Sequence, residues 1–392
     1  MFETSRDLEK IAVLLSPQKT ILAKGALRQV GQEAVALGGR RVLLVTDPGV
    51  VKAGLLEAPQ RSLEKEKMTV EIFDGVEPDP PVRVVDACIQ RIKEKKIDLV
   101  VGVGGGSALD VAKGAAALAP NGGKALDYVG LDTVPQRGLP KILIPTTAGT
   151  GSEATRVFVM TDEADNTKKV VYSNFLLAEV AILDPLLTLS LPPMVTADTG
   201  MDALVHAIEA YVSVNTTPFA EILSLAAIRL IAGYLPKACA KGSQIEARYY
   251  MLLAANLAGT AFTSGGLGAV HGLAYVLGTE YHLSHGRSNA VMLPRVMEYN
   301  LSGNFRKYAE IALAMGETVT GLAPWEAAAK AVEAVKRLLG IINLPADLSA
   351  YGIPKSDLPK LVEGGMKQAR LFIPNPKDLT EKDVEAIYRD SF

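Results

Sequence analysis

Cysteine is nearly missing from this sequence: Cys88 and Cys239 are the only two in 392 residues. Two thiols cannot build a disulfide framework, and both lie in stretches patterned as apolar helix, where they read as small buried hydrophobes. A reducing, cytoplasmic setting is expected. Aromatics are scarce at 6%, while glycine reaches 35, which disfavours a β-sandwich and favours an α/β enzyme built around tight turns. Excess charge is also lacking. Forty-one Lys plus Arg face 43 Asp plus Glu, a net charge of −2, so no nucleic-acid partner is expected. The opening MFETSRDLEK mixes charges and has no apolar core, so no secretory leader is expected.

One stretch raises the question of a membrane. Between Tyr249 and Thr279 there is no Asp, Glu, Lys or Arg, but the run is interrupted by Asn256, by Thr263, Ser264, Gly265 and Gly266, and by His271. It reads as a core helix, a glycine-rich loop and a second buried helix, with no membrane partner.

What is present is a composition of 48% hydrophobic and 21% charged residues, ordinary for a globular protein. The length exceeds what most single cores hold, so two domains are expected. In the first half, strand-like runs (41–47, 69–73, 97–103, 141–147) alternate with helical spacing over 83–95 and 108–118. That alternation predicts a parallel sheet covered on both faces. Runs at 157–162, 169–173 and 179–185 predict a further hairpin and a final strand. Beyond Asp184-Pro185 period-two alternation all but stops. Pro193, Pro218 and Pro324 look like first-turn prolines, and Ser243…Glu246 and Thr380…Asp383 have capping-box spacing. The expected division is an α/β domain over 1–187 and an all-helical domain over 188–392.

Two loops carry phosphate-binding chemistry. After the strand IDLVVGV come Gly104, Gly105, Gly106 and Ser107, opening a helix whose free N–H groups and positive end suit a pyrophosphate. A dinucleotide fingerprint would place glycine at 107, so either a nucleotide loop or a merely tight turn fits. The second loop, PTTAGTGSE, sets Thr146, Thr147, Thr150 and Ser152 around two glycines, again after a strand, and a plain capped loop is the alternative. Loops after neighbouring parallel strands meet at the carboxyl edge of the sheet, where ligands bind. Asp47 ends the strand RVLLVTD. It could accept ribose hydroxyls and repel a 2′-phosphate, or simply form the turn that Pro48-Gly49 continues.

The four histidines are His206, His271, His282 and His285. Asp202 and His206 are i and i+4 on an apolar helix, hence on one face. A hydrogen-bonded neutral histidine would explain that pair alone. With His271 and His285 they make one oxygen and three nitrogens, a donor set for Fe²⁺ or Zn²⁺. His282 lies in a polar segment and could also ligate, but reads better as a residue behind the ligands or as solvated. Phe262, Gly265, Gly266 and Gly268 are candidate pocket residues.

The segments GGGSALDVAK, PTTAGTGSEAT, LPPMVTADTGMDALVHAIEAY, AGTAFTSGGLGAVHG and SHGRSNAVMLP together resemble the iron-containing, group III alcohol dehydrogenases. The resemblance runs from about Lys24 to the C-terminus and is weakest after residue 300. It implies an N-terminal Rossmann-like, NAD(P)-binding α/β domain, a helical C-terminal domain and a divalent metal in the cleft between them. The family's ligands fall on Asp202, His206, His271 and His285. Gly106, Ser107, Thr146, Thr147, Thr150 and Lys169 fall along the cofactor, and Asp110 in the glycine motif is assigned to the same side. Where many members carry a histidine four residues after the third ligand, this chain has Tyr275, a candidate for pocket shape and the proton path. The implied reaction interconverts a primary alcohol or short diol and its aldehyde with NAD(P), in a homo-oligomer, and Asp47 at the end of its strand makes NAD the expected cofactor in preference to NADP. The alternative is an NAD- and metal-using lyase of the dehydroquinate synthase type.

Overall fold

The computed structural model describes residues 11–165 and 167–392. The charged opening segment, residues 1–10, lies outside the described residues. Nine strands follow in chain order: β1 (Lys19–Leu22), β2 (Arg41–Val45), β3 (Thr69–Phe73), β4 (Leu99–Gly104), β5 (Gly130–Leu131), β6 (Lys141–Pro145), β7 (Val157–Asp162), β8 (Thr167–Tyr172) and β9 (Val180–Leu183). Six form a parallel sheet ordered β1-β9-β6-β4-β2-β3, and β5, β8 and β7 form a second small sheet. All six residues of β4 are buried, as expected of a central parallel strand covered on both faces.

The sheet is flanked by α1 (Val30–Ala36), α2 (Pro48–Lys52), α3 (Glu57–Lys65), α4 (Val82–Glu94) and α5 (Gly106–Leu118). In α4 the buried side chains are Val84, Val85, Cys88, Ile89 and Ile92, one stripe at helical spacing. Strand β1 was not anticipated. Its four residues, KTIL, lie at the sheet edge and are half-buried or exposed, so they lack the apolar run that marks the inner strands.

After β9 the described residues are helical: α6 (Pro193–Val212), α7 (Pro218–Ala240), α8 (Ile245–Gly265), α9 (Ala269–Tyr281), α10 (His285–Asn300), α11 (Phe305–Ala314), α12 (Pro324–Ile341), α13 (Leu358–Met366) and α14 (Glu381–Asp390). Pro193, Pro218 and Pro324 each occupy the first turn. The Thr380–Asp383 capping box forms. The one expected at Ser243–Glu246 does not, because the cap position falls one residue later, on Gln244, and the helix begins at Ile245. The uncharged stretch becomes α8, a short glycine loop and α9. Among the described residues one helix, α7, is long and apolar enough to cross a membrane by length and composition; here it packs against α6, α8 and α11.

Parallel pairing of β4 with β6 sets Gly104 opposite Pro145, so the two glycine loops leave the sheet side by side. The second loop also touches the helical half. Gly151 has φ +59°, and a Cβ there would lie 2.6 Å from the Ala255 carbonyl on α8. Glycine is required at 151 for both conformation and room.

Candidate metal centre and nucleotide cleft

Three helices bring four side chains together. Asp202 and His206 lie one turn apart on α6, His271 is in the first turn of α9, and His285 is the first residue of α10. The α10 terminus is pinned to α6. Ser284 Oγ donates to Asp198 Oδ2 at 2.7 Å, and Arg287 Nη2 donates to Asp198 Oδ1 at 2.9 Å. As a result one ligand atom from each of Asp202, His206, His271 and His285 lies within 4.8 Å of every other.

Nitrogen-to-oxygen separations within this quartet are 3.9 Å for His206 Nε2 to Asp202 Oδ1 and 3.5 Å for His285 Nε2 to the same oxygen. Two donors on one tetrahedral cation at ordinary bond lengths sit about 3.4 Å apart. The spacing therefore suits four lone pairs around a shared cation, and the donor set fits Fe²⁺ or Zn²⁺. Asp202, His206 and His271 are buried, whereas the His285 side chain keeps 45% of its surface open. Burial pushes the His206 imidazole down to about 4, which keeps it neutral and able to ligate. Burial alone would raise the Asp202 carboxyl, but the three imidazoles around it outweigh that effect and hold it below its usual value.

Two residues at this centre escaped the sequence reading. Glu209 Oε2 lies 2.5 Å from His271 Nδ1. The signal was present: Asp202, His206 and Glu209 are spaced four and three, a single helix face. Asn289, one turn after His285, places Nδ2 2.8 Å from Asp202 Oδ1 and 3.2 Å from both His271 Nε2 and His285 Nε2. Phe262 stacks on His206 with ring centroids 4.6 Å apart. His282 ends α9 in the left-handed region and is exposed, outside the quartet. Tyr275 lines the same cavity, its ring 6.1 Å from that of His285. Among the described residues its hydroxyl has no hydrogen-bond partner, unlike Tyr388, which donates to the Leu273 carbonyl at 2.7 Å.

A cavity of about 220 Å³ joins this centre to the glycine loops, lined on the sheet side by Gly106, Ser107, Asp110, Thr150 and Ser152. Gly105 caps α5 without a side chain, so the first-turn N–H groups open on the cleft. A Cβ at Gly106 would fall 2.7 Å from Thr150 Cγ2, so the two loops touch only because that residue is glycine. Asp110 and Ser152 are engaged with each other: Ser152 Oγ donates to Asp110 Oδ1 at 2.6 Å. The fully buried Lys113 ties both, at 3.0 Å to Asp110 and 2.8 Å to Ser152 Oγ. Burial pushes the Lys113 ammonium down, against the pull of Asp110. Thr146 is buried at the end of β6, and Thr147 stands beside Gly105. Gly104 closes β4, with Asp47 Oδ2 3.2 Å from where its Cβ would be. Asp47 also caps α2, Oδ1 accepting from Gly49 N at 2.9 Å and Val50 N at 3.0 Å. The bonds present are those of the turn-forming expectation for Asp47.

Lys169 requires a correction. Strand alternation turns Lys168, Val170 and Tyr172 into the cavity, and Lys169 points the other way, 2.6 Å from Asp165 and 3.6 Å from Asp162. A one-residue slip along a strand moves a side chain to the opposite face. Lys168, paired with Asp79, is the lysine in the cleft.

Residues 17–185 match the iron-containing alcohol dehydrogenase family, and residues 196–392 match the C-terminal region of the Fe-containing alcohol dehydrogenase family. The chain is 44% identical over 385 residues to "Long-chain-alcohol dehydrogenase 1" of Geobacillus thermodenitrificans (strain NG80-2), covering 97% of each. Its fold is similar to the crystal structure of a 1,3-propanediol oxidoreductase, with TM-score 0.95 and 40% identity over 98% of this chain and 100% of that one. It is similar also to sulfoacetaldehyde reductase from Bifidobacterium kashiwanohense, solved in complex with NAD+, with TM-score 0.88 and 30% identity over 97% and 98% of the two chains.

Proposed function

Because the chain belongs to the iron-containing alcohol dehydrogenase family, oxidoreductases that act on alcohols and diols, we propose that Asp202, His206, His271 and His285 hold its divalent metal and that the adjoining glycine loops hold NAD. The observation that carries this reading is the opening of both onto one cavity. A cation held there supplies Lewis-acid polarisation of an alcohol or carbonyl oxygen, and the nicotinamide carries the hydride. The chain's own residues position the partners. First-turn N–H groups at Gly106 and Ser107 face the pyrophosphate side, and Asp47 suits a free 2′-hydroxyl better than a 2′-phosphate. Phe262 and Tyr275 shape the substrate end and keep water from the reacting carbon.

The reading includes a boundary near residue 187, supported by the end of β9 at Leu183 and the start of α6 at Pro193. It also includes a primary alcohol or short diol as substrate, a homo-oligomer, and a cytoplasmic setting that suits two unpaired cysteines. The relatives support the dehydrogenase over the lyase. The test is metal-free protein reloaded with Fe²⁺ or Zn²⁺, followed by NADH and NADPH absorbance with a panel of aldehydes and alcohols. Full activity without metal, or NADPH outperforming NADH, counts against it.

A further inference from the structure

Glu209 is a carboxylate only 5% exposed, and nothing in the reaction requires it at the reacting atoms. Its two oxygens do separate work. Oε1 accepts from Val270 N at 2.6 Å and His271 N at 3.4 Å, at the positive end of α9. That helix has Gly268 as its cap residue and no capping side chain of its own, so α6 supplies the cap from outside. A Cβ on Gly268 would lie 3.1 Å from Glu209 Oε1; the glycine leaves the carboxylate its place. Oε2 faces His271 Nδ1 at 2.5 Å.

Ionised carboxylate oxygens accept and never donate, and a neutral imidazole has one N–H and one lone pair. Nδ1 of His271 therefore carries the proton, and the lone pair sits on Nε2. That nitrogen points into the quartet, 3.2 Å from the amide of Asn289. The other two imidazoles differ. His206 Nδ1 is buried without a partner among the described residues, and its ring is held by stacking between Phe262 and His271 at 4.6 and 4.8 Å. No bond to His285 Nδ1 is found among the described residues either. Among the described residues, His271 is the ligand imidazole whose Nδ1 faces a carboxylate.

Resting on the metal-centre reading above, we propose that Glu209 is a positioning residue that holds the Nδ1 proton of His271 and aims its Nε2 lone pair at the shared metal point. A carboxylate behind a ligating histidine fixes ring plane and tautomer and raises ligand basicity, and its loss typically costs 10- to 100-fold in metal affinity. The competing explanation is a helix cap alone. Glu209→Gln separates the two. Its carbonyl oxygen can still accept the α9 amides, but its amide donates towards Nδ1, which turns the Nε2 N–H into the quartet.

The measurement is Zn²⁺ or Co²⁺ affinity of metal-free protein by competition with a chelating dye, alongside Tm with and without metal. Glu209→Gln should bind roughly 10- to 100-fold more weakly, keep a near wild-type Tm without metal, and lose most of the metal-induced rise. Equal affinities overturn the role of Glu209 and leave the metal centre standing. A wild type that binds neither ion overturns the metal centre itself. Should the Gln variant fail to fold, ¹⁵N shifts of His271 in metal-free wild type at alkaline pH decide. An Nδ1-protonated tautomer supports the proposal, and an Nε2-protonated one ends it.

Discussion

The two walls of the cleft are built on opposite plans. On the helical wall, the proposed metal centre rests on rare side chains: four donors from three helices, within 4.8 Å of one another. On the sheet wall the proposed nucleotide site rests on backbone. Gly105 and Gly106 expose amides, while the polar side chains nearby, Asp110, Ser152 and Lys113, bind each other. Side-chain chemistry should therefore fail outright when one residue is removed. Backbone chemistry should fail by losing shape, and thus through stability and cofactor binding.

The first prediction breaks the helical wall. His271→Ala removes a donor, and turnover should fall by roughly 10³-fold or more, about 4 kcal/mol of transition-state stabilisation. Metal content should fall with it, and the Tm of the metal-free protein should drop as well, because the buried Glu209 Oε2 loses its partner. A variant that retains metal and turnover would remove His271 from the centre.

The second strikes the sheet wall at Lys113. Lys113→Met leaves Asp110 without its cation beneath the second loop. Removing one partner of a buried pair costs about 3 kcal/mol, which should appear as a lower Tm and a raised KM for NADH with kcat nearly kept. If kcat falls and stability does not, Lys113 acts in the chemistry and the contrast between the walls fails.

That contrast explains what could be read in advance. Asp202, His206, His271 and His285 stand out in a sequence with four histidines, and helical spacing pairs the first two. Glu209 obeyed the same periodicity and was missed, because glutamate on a helix is common and only the fold brings α9 above it. The inner strands announced themselves as apolar runs; β1 at the edge did not. On the sheet wall the glycines located the loops, but residue type could not say which hydroxyls stay free. Ser152 bonds Asp110, and the choice between Lys168 and Lys169 turned on one step of register.

The third prediction sharpens the sheet wall, because Asp47 is its one side chain expected to select. It sits past the carboxyl end of the inner strand β2, beside Gly104, and caps α2. A carboxylate near a 2′-phosphate costs about 1–4 kcal/mol, so Asp47→Gly should shift the NADPH-to-NADH ratio of kcat/KM tenfold or more. Glycine is tolerated at a helix cap at a cost of a few tenths of a kcal/mol, so stability should barely move. An unchanged ratio would leave Asp47 as a cap alone.

The smallest effect concerns Tyr275, which stands where the two walls meet. It follows His271 by one turn, lines the cavity and has no hydrogen-bond partner for its hydroxyl among the described residues. Burial pushes its phenol up to about 12, so it stays neutral across the whole physiological range and cannot relay a proton by changing charge there. Tyr275→Phe should lower turnover several-fold, on the order of 1 kcal/mol, and leave metal content intact. The sign of the linkage gives a second readout. A phenol whose folded value lies above its unfolded value near 10 adds stability that is complete below pH 10 and is lost as pH rises towards 12. The wild type should therefore lose stability over that window more steeply than Tyr275→Phe. Tyr275→His should instead place a titration near pH 6–7 in the rate profile, the ordinary range of an imidazole. Were both variants to match the wild type in rate and in pH dependence, Tyr275 would be a packing residue, and the substrate proton would leave the cleft without it.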